Sequence, residues 1–148
     1  MKIRQHSDFG LRVLLYLGAR PGQRVKTRTI ADAFEISSHH LQKVVRSLGK
    51  IGVVSLYRGA NGGIELSKSP KDISIGYVMR HLDGGVPIVE CFDKETSTCK
   101  VAGVCGLTPA FRAAQEAFYQ SLDKVALSSM VSGKKGADLR RATDGSLG

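Results

Sequence analysis

Apolar residues return at helical intervals along most of this chain, and at strand intervals in one short stretch. In SSHHLQKVVRSLGKIG (37–52), Leu41, Val44, Val45 and Leu48 follow the i, i+3, i+4, i+7 rule. At about 100° per residue they share one side of a helix. His39, Gln42, Lys43, Arg46 and Lys50 fall on the other side, which is therefore all hydrogen-bonding and mostly cationic. Upstream, SDFGLRVLLYLGA (7–19) predicts a largely buried helix capped by Ser7, with Phe9, Val13, Leu14, Tyr16 and Leu17 on a broad face. Arg20, Pro21 and Gly22 end it. TRTIADAF (27–34) predicts a short helix capped by Thr27, with Ile30 and Phe34 inward and a turn at Glu35 and Ile36.

VVSLYRGANGGIELS (53–67) changes the period to two. Val54 and Leu56 point to the core on the way in, Ile64 and Leu66 on the way out, and GANGG supplies a glycine-rich reversal. Pro70 closes this unit. SIGYVMRHLDGG (74–85) is a further helix, capped by Ser74, in which Ile75, Val78, Met79 and Leu82 pack. The last long pattern is TPAFRAAQEAFYQSLDKVAL (108–127), with Thr108 at the cap and Pro109 at the first helical position. Phe111, Ala114, Phe118, Leu122 and Val125 make a narrow stripe, suited to pairing with another helix. Residues 132–148 are small, polar and charged, and predict a disordered tail.

The expected architecture is mainly α with a small β-hairpin wing: a winged helix-turn-helix followed by a long dimerisation helix. Residues 1–70 form the DNA-binding domain, 71–107 a short helix and a cysteine loop, 108–131 the dimerisation helix and 132–148 the tail. At 148 residues there is length for one domain. No apolar run approaches the roughly 20 residues of a membrane span. The opening MKIRQHSDFG has no secretory stretch, so a cytoplasmic protein with reduced thiols is expected.

Charge separates the two halves. Residues 1–70 carry 12 Lys and Arg against 4 Asp and Glu, and residues 71–148 carry 10 against 9. Nearly all of the net +9 is therefore in the first half, which suits a polyanion. A helix fits the major groove of B-DNA and reads base edges with its N-terminal side chains. Here those are Ser38, His39 and Gln42, with Lys43 and Arg46 further along and Arg28 on the preceding helix. Arg58, Asn61 and Gly62 stand at the tip of the wing, where the backbone approaches a groove and Arg58 can enter the minor groove. The partner expected is double-stranded operator DNA, not a membrane. No nucleotide-binding, metalloprotease or serine-hydrolase pattern occurs, so no enzyme is expected.

All three cysteines lie in CFDKETSTCKVAGVC (91–105), spaced C-x7-C-x5-C. No C-x2-C knuckle suits zinc, and no redox C-x-x-C is present. Three thiolates can hold three corners of a cubane iron–sulfur cluster, or they can be three buried bystanders. Gly84, Gly85, Gly103 and Gly106 bracket the loop, and Cys105 precedes the positive end of the long helix, which stabilises thiolate.

SDFGLRVLLYLG, IADAFEISSHHLQKVVRSLGKIGVV, YRGANGGIELS, ISIGYVMRHLDG and VECFDKETSTCKVAGVCGL, in this order, resemble the winged-helix iron–sulfur regulators, and within them the nitric-oxide-sensing repressors. Cluster-biogenesis regulators are cousins. The resemblance covers about residues 1–131. It implies a homodimer in which a long helix of each subunit crosses the other, bound to a pseudo-palindromic operator. It implies that Cys91, Cys99 and Cys105 are cluster ligands and that Asp8 of the partner subunit is the fourth, with His6 the alternative. A 4Fe–4S cluster is the favoured cofactor and 2Fe–2S the alternative. Nitric oxide is the implied signal, and Arg12, one turn after Asp8, is placed to hold the released carboxylate as a switch. Glu35 departs from the pattern, because relatives often place Gly or Asn in that turn. Three rival readings remain: iron or cluster-status sensing, a metal-free thiol redox repressor, and an electron-transfer subunit, which the basic face argues against.

Overall fold

The computed structural model describes residues 2–84 and 87–145. They form α1 (Gln5–Gly18), α2 (Thr27–Ala33), α3 (Ser38–Lys50), β1 (Val54–Tyr57), β2 (Gly63–Leu66), α4 (Ile75–Asp83), α5 (Leu107–Asp123), α6 (Ser128–Val131) and α7 (Gly133–Thr143). This is the winged helix-turn-helix expected from the sequence. The two strands pair antiparallel, with Val54 opposite Leu66 and Leu56 opposite Ile64. Leu41, Val44, Val45 and Leu48 are buried, together with Val13, Leu14 and Leu17 of α1 and Ile30 of α2. Each such side chain removed from water stabilises the fold by about 2 kcal/mol. Ser37 caps α3 by accepting the His40 N–H, and Ser74 caps α4 by accepting that of Tyr77. One core also takes in Ile73, Ile75, Val78, Met79, Leu82, Leu127 and Val131, so the helix-turn-helix and wing share their packing with residues beyond 70.

The turn after α2 holds Glu35 at φ 53°, the only positive φ of a non-glycine residue among those described. The resemblance singles out this position, since relatives often place Gly or Asn in the turn. The left-handed conformation presses Cβ on the following carbonyl.

Several expected details are corrected. Ser7 does not cap α1, which starts two residues earlier behind Arg4. Ser7 is buried, and its hydroxyl instead donates to Asp83 Oδ1 at the end of α4 (2.7 Å). Thr27 is the first residue of α2 rather than its cap. Leu56 is 46% exposed: it lies over Gly49 at the end of α3, where a Cβ would come within 2.5 Å of it. The helix from 108 begins instead at Leu107 behind Gly106, which frees the Thr108 hydroxyl from capping. Nor does it run on to 131. At Asp123 the backbone leaves the helix to pair with the segment before α4, Ile75 N–H donating to Val125 O and Leu127 N–H to Ile73 O (both 2.9 Å). Gly76 permits this crossing, since a Cβ there would sit 2.4 Å from the Asp123 nitrogen.

The disordered tail is the largest correction. Residues 133–143 form α7, fastened to the end of α1. Buried Arg20 donates to Tyr16 O (3.2 Å), Thr143 Oγ1 (2.7 Å) and Asp144 Oδ1 (2.6 Å). Arg140 in turn donates to the Ala19 carbonyl (2.7 Å), and Leu139 packs against the core. A composition poor in apolar residues is ordered here by charge-assisted bonds to a neighbouring helix end. Gly85 and residues 146–148 lie outside the described residues.

Candidate nucleic-acid interface and cysteine loop

The buried stripe of α3 fixes which side of the helix faces out. His39, Gln42, Lys43, Arg46 and Lys50 are all exposed there, and Ser38 is half-buried at the first turn. His40, next to His39, is not simply solvated: its ring packs edge-on against Phe9, with centroids 4.9 Å apart. Arg28 projects from α2 and lies 4.0 Å from Asp32, an exposed pair of little energetic weight. At the wing tip Arg58 and Asn61 are exposed. The Gly62 N–H donates to Gly59 O (2.9 Å), and a Cβ on Gly62 would stand 2.6 Å from the Tyr57 carbonyl. The tip therefore closes only with glycine at that position.

The first turn of α1 is wired to this surface. His6 Nε2 lies 3.0 Å from Ser47 Oγ on α3. That hydroxyl gives its own proton to the Lys43 carbonyl (3.2 Å), so His6 is the donor. Burial, then the nearby positive charges of His40 and Arg4, hold His6 below its ordinary pKa, and Asp83 partly opposes them. Asp8 accepts from Arg12 at 2.8 Å, both side chains being partly exposed. The Arg12 guanidinium also reaches the Phe9 and Phe34 rings, 5.6 and 5.9 Å from their centroids. The structure thus brings Asp8 and Arg12 together, and engages His6 elsewhere.

All three cysteines are free and half-buried. Cys91 sits in a short 3-10 turn (Glu90–Phe92), its Sγ 3.5 Å from Thr108 Oγ1 on α5. Cys105 lies one residue before the Gly106 cap of α5. The loop is braced by carboxylates. Glu90 accepts from the Thr98 N–H (2.6 Å) and hydroxyl (2.7 Å), and Asp93 accepts from Glu95 and Thr96. Those bonds hold both acids below the usual carboxylate range. Arg112 stacks over Phe92 at 4.4 Å, tying the loop to α5. Among the described residues no three of His, Cys, Asp or Glu are gathered closely enough to hold a metal ion. The donor chemistry itself suits a soft iron centre: three unpaired thiols on a loop whose Gly103 and Gly106 leave open space where a side chain would stand.

No buried residue lies on α5. Phe111 is exposed, and Phe118 and Leu122 are only half-buried. Sequence reasoning missed what holds α5 in place: Arg80 of α4 makes a two-pronged bond to Glu116 (2.8 Å each) and another to Asp123 (2.8 Å). Those bonds depress both carboxylates and push Arg80 further up. No sequence spacing marks the trio, because its members lie 36 and 43 residues apart. Among the described residues no helix is long and apolar enough to cross a membrane.

Residues 3–133 match the family described as Rrf2, iron-dependent transcriptional regulator. The chain is similar to the HTH-type transcriptional regulator NsrR of Bacillus subtilis (strain 168), 41% identical over 91% of this chain and 93% of that protein. It is also similar to the HTH-type transcriptional repressor NsrR of Streptomyces coelicolor, 33% identical over 97% of each. Among solved structures, T. potens IscR shares the fold at a TM-score of 0.69 and 23% identity, covering 88% of this chain and 86% of that one. The regulator pattern of helix, turn, helix and wing is thus matched across almost the whole chain, and this protein belongs to the Rrf2 family of transcriptional regulators, not to an enzyme family.

Proposed function

We propose that the protein is an iron–sulfur transcriptional repressor that binds a pseudo-palindromic operator as a homodimer and releases it on meeting nitric oxide. The observation that carries this reading is the trio of free, half-buried thiols on one loop of a chain 41% identical to a protein named NsrR. Cys91, Cys99 and Cys105 would hold the cluster, with Asp8 of the partner subunit as fourth ligand. The bare seam of α5 supports the dimer, since it leaves Phe111 exposed in the single chain. When bound, the cluster supplies iron that nitric oxide attacks.

The rest is done by the chain's own residues. In the dimer α3 of each subunit enters successive major grooves, about one helical turn apart. Ser38, His39 and Gln42 reach base edges, while Arg28, Lys43 and Arg46 neutralise phosphates. Arg58, Asn61 and Gly62 bring the wing to the adjacent minor groove. A carboxylate oxygen is a weak, displaceable donor to a soft centre. Once released, Asp8 pairs with Arg12, the pair present here at 2.8 Å. That change acts on the turn of α1 that carries His6 to Ser47 and Ser7 to Asp83, so it reaches α3 directly. A coupling of about 1–3 kcal/mol would alter operator affinity by about 5- to 150-fold.

Anaerobic titration of the purified protein with nitric oxide tests the reading, with visible absorbance and operator binding followed together. Loss of absorbance and of DNA binding at the same stoichiometry is expected. A preparation without iron and sulfide, or DNA binding indifferent to nitric oxide, refutes it. Asp8→Ala is expected to keep a cluster and change its response to nitric oxide, and an unchanged response removes Asp8 from the ligand set.

A further inference from the structure

The wing is not held by its two strands alone. Val25, in the link between α1 and α2, exchanges both backbone hydrogen bonds with Ile64 of β2 (2.9 and 2.7 Å). The approach is close: a Cβ on Gly63 would stand 2.7 Å from the Val25 carbonyl. The preceding residue, Arg24, lays its guanidinium on the Tyr57 ring, 3.4 Å from the centroid. Its Nε lies 3.6 Å from Glu65 Oε2, and the Tyr57 hydroxyl donates to Glu65 Oε1 (2.7 Å). Cation, ring and carboxylate therefore close a loop of three contacts. Tyr57 is the last residue of β1, and Arg58 follows it directly.

We propose that Arg24, Tyr57 and Glu65 form a clamp that sets the angle of the wing, which makes Arg24 and Glu65 positioning residues for the DNA contact of Arg58. A two-stranded ribbon is marginal by itself and needs packing to fix its direction. The clamp supplies that direction at the base of the tip. Tyr57 is held on one face by a flat cation and at its hydroxyl by a carboxylate, so the chain leaves β1 along one path. Arg24 is well suited to this task, since a planar guanidinium can stack and pair together where an ammonium cannot. The proposal rests on the DNA-binding role of the wing and not on the cluster.

Charge makes the test sharp. Glu65 is an acid beside a surface that meets phosphates. If only charge mattered, Glu65→Gln would strengthen DNA binding, and Arg24→Ala would weaken it equally on every sequence. A clamp predicts weakening from both. The probes are a duplex selected from a random pool by the wild-type protein and a scrambled duplex of the same length. Affinities are measured by fluorescence anisotropy on anaerobically purified full-length dimer, alone and combined with Arg58→Ala. Thermal unfolding of each variant is measured alongside. Arg24→Ala and Glu65→Gln are each expected to weaken binding to the selected duplex by about three- to fivefold, the equivalent of an exposed cation–π contact. In the Arg58→Ala background the same changes are expected to cost less than about twofold, the mark of two residues acting through one another. Melting points that match the wild type separate positioning from unfolding. Tighter binding by Glu65→Gln overturns the proposal, as does an Arg24→Ala loss that is equal on both duplexes and undiminished by Arg58→Ala. An Arg58→Ala protein that binds like wild type overturns it too, because no wing contact then exists to be positioned. Failure of every protein, wild type included, to select any duplex would instead overturn the DNA-binding reading.

Discussion

Replacing Arg20 by Ala removes the largest group of bonds that fasten α7 and leaves the Arg140 bond to the Ala19 carbonyl and the packing of Leu139. The side chain is 6% exposed and makes three bonds: to Tyr16 O, to Thr143 Oγ1 and to Asp144 Oδ1. It also stacks on the Tyr16 ring, 3.8 Å from its centroid. A hydrogen bond to a charged group contributes about 1.5–3 kcal/mol. The Asp144 bond belongs at the bottom of that range, because that carboxylate is 55% exposed and water replaces part of the loss. The bonds to Tyr16 O and Thr143 Oγ1 add about 1 kcal/mol each and the stacking about 1 kcal/mol more, so the expected loss is about 4–5 kcal/mol. Asp144→Asn leaves the guanidinium two of its partners and should cost about 1 kcal/mol. Urea unfolding measures both. Hydrogen exchange locates the effect: amides of 134–143 should lose protection in Arg20→Ala before those of α3 do. A loss below about 1 kcal/mol, or an α7 that exchanges as slowly as in the wild type, would refute the reasoning, since α7 would then be held by something other than Arg20.

Lys43→Ala should weaken binding to all duplexes alike and lower the slope of log affinity against log salt by about one unit. An effect confined to one base position would make Lys43 a base reader instead. Glu35→Gly relieves the left-handed strain at φ 53° but adds freedom to the unfolded chain, so stability should rise by up to about 1 kcal/mol in urea unfolding. A loss there would mean the Glu35 side chain contributes more than its backbone costs. Glu116 and Asp123 are depressed by Arg80, so their contribution is present above the ordinary carboxylate range and is lost as pH falls through their folded values. Urea midpoints should therefore drop between about pH 5 and pH 2, less steeply in Arg80→Gln, and equal slopes would dismiss the trio as a support of α5.

What the sequence made legible was whatever repeats. The four aliphatics of α3 mark its buried side by period alone, and its cationic side follows by elimination. GANGG marks the wing through backbone freedom, and Glu35 stands out only through the resemblance, whose members often have Gly or Asn in that turn. What stayed hidden depends on partners far along the chain. Ser7 carries every local sign of a helix cap, yet its hydroxyl meets Asp83, 76 residues away. The tail looked unstructured because its own apolar content is low, and its anchor is an ion pair spanning 124 residues. The cysteine loop is intermediate. Its spacing shows three thiols on one loop, while nothing in it says how near they stand, and among the described residues they are not gathered into a metal site.

Helix α1 meets α3 through His6 and α4 through Ser7, runs unbroken to Gly18, and is followed two residues on by Arg20, which holds α7. It therefore behaves as an axle with gears at both ends. Screens for altered gene control in this protein should recover lesions near residue 140 as readily as lesions at the groove. Such distant hits would be errors of transmission, not of reading.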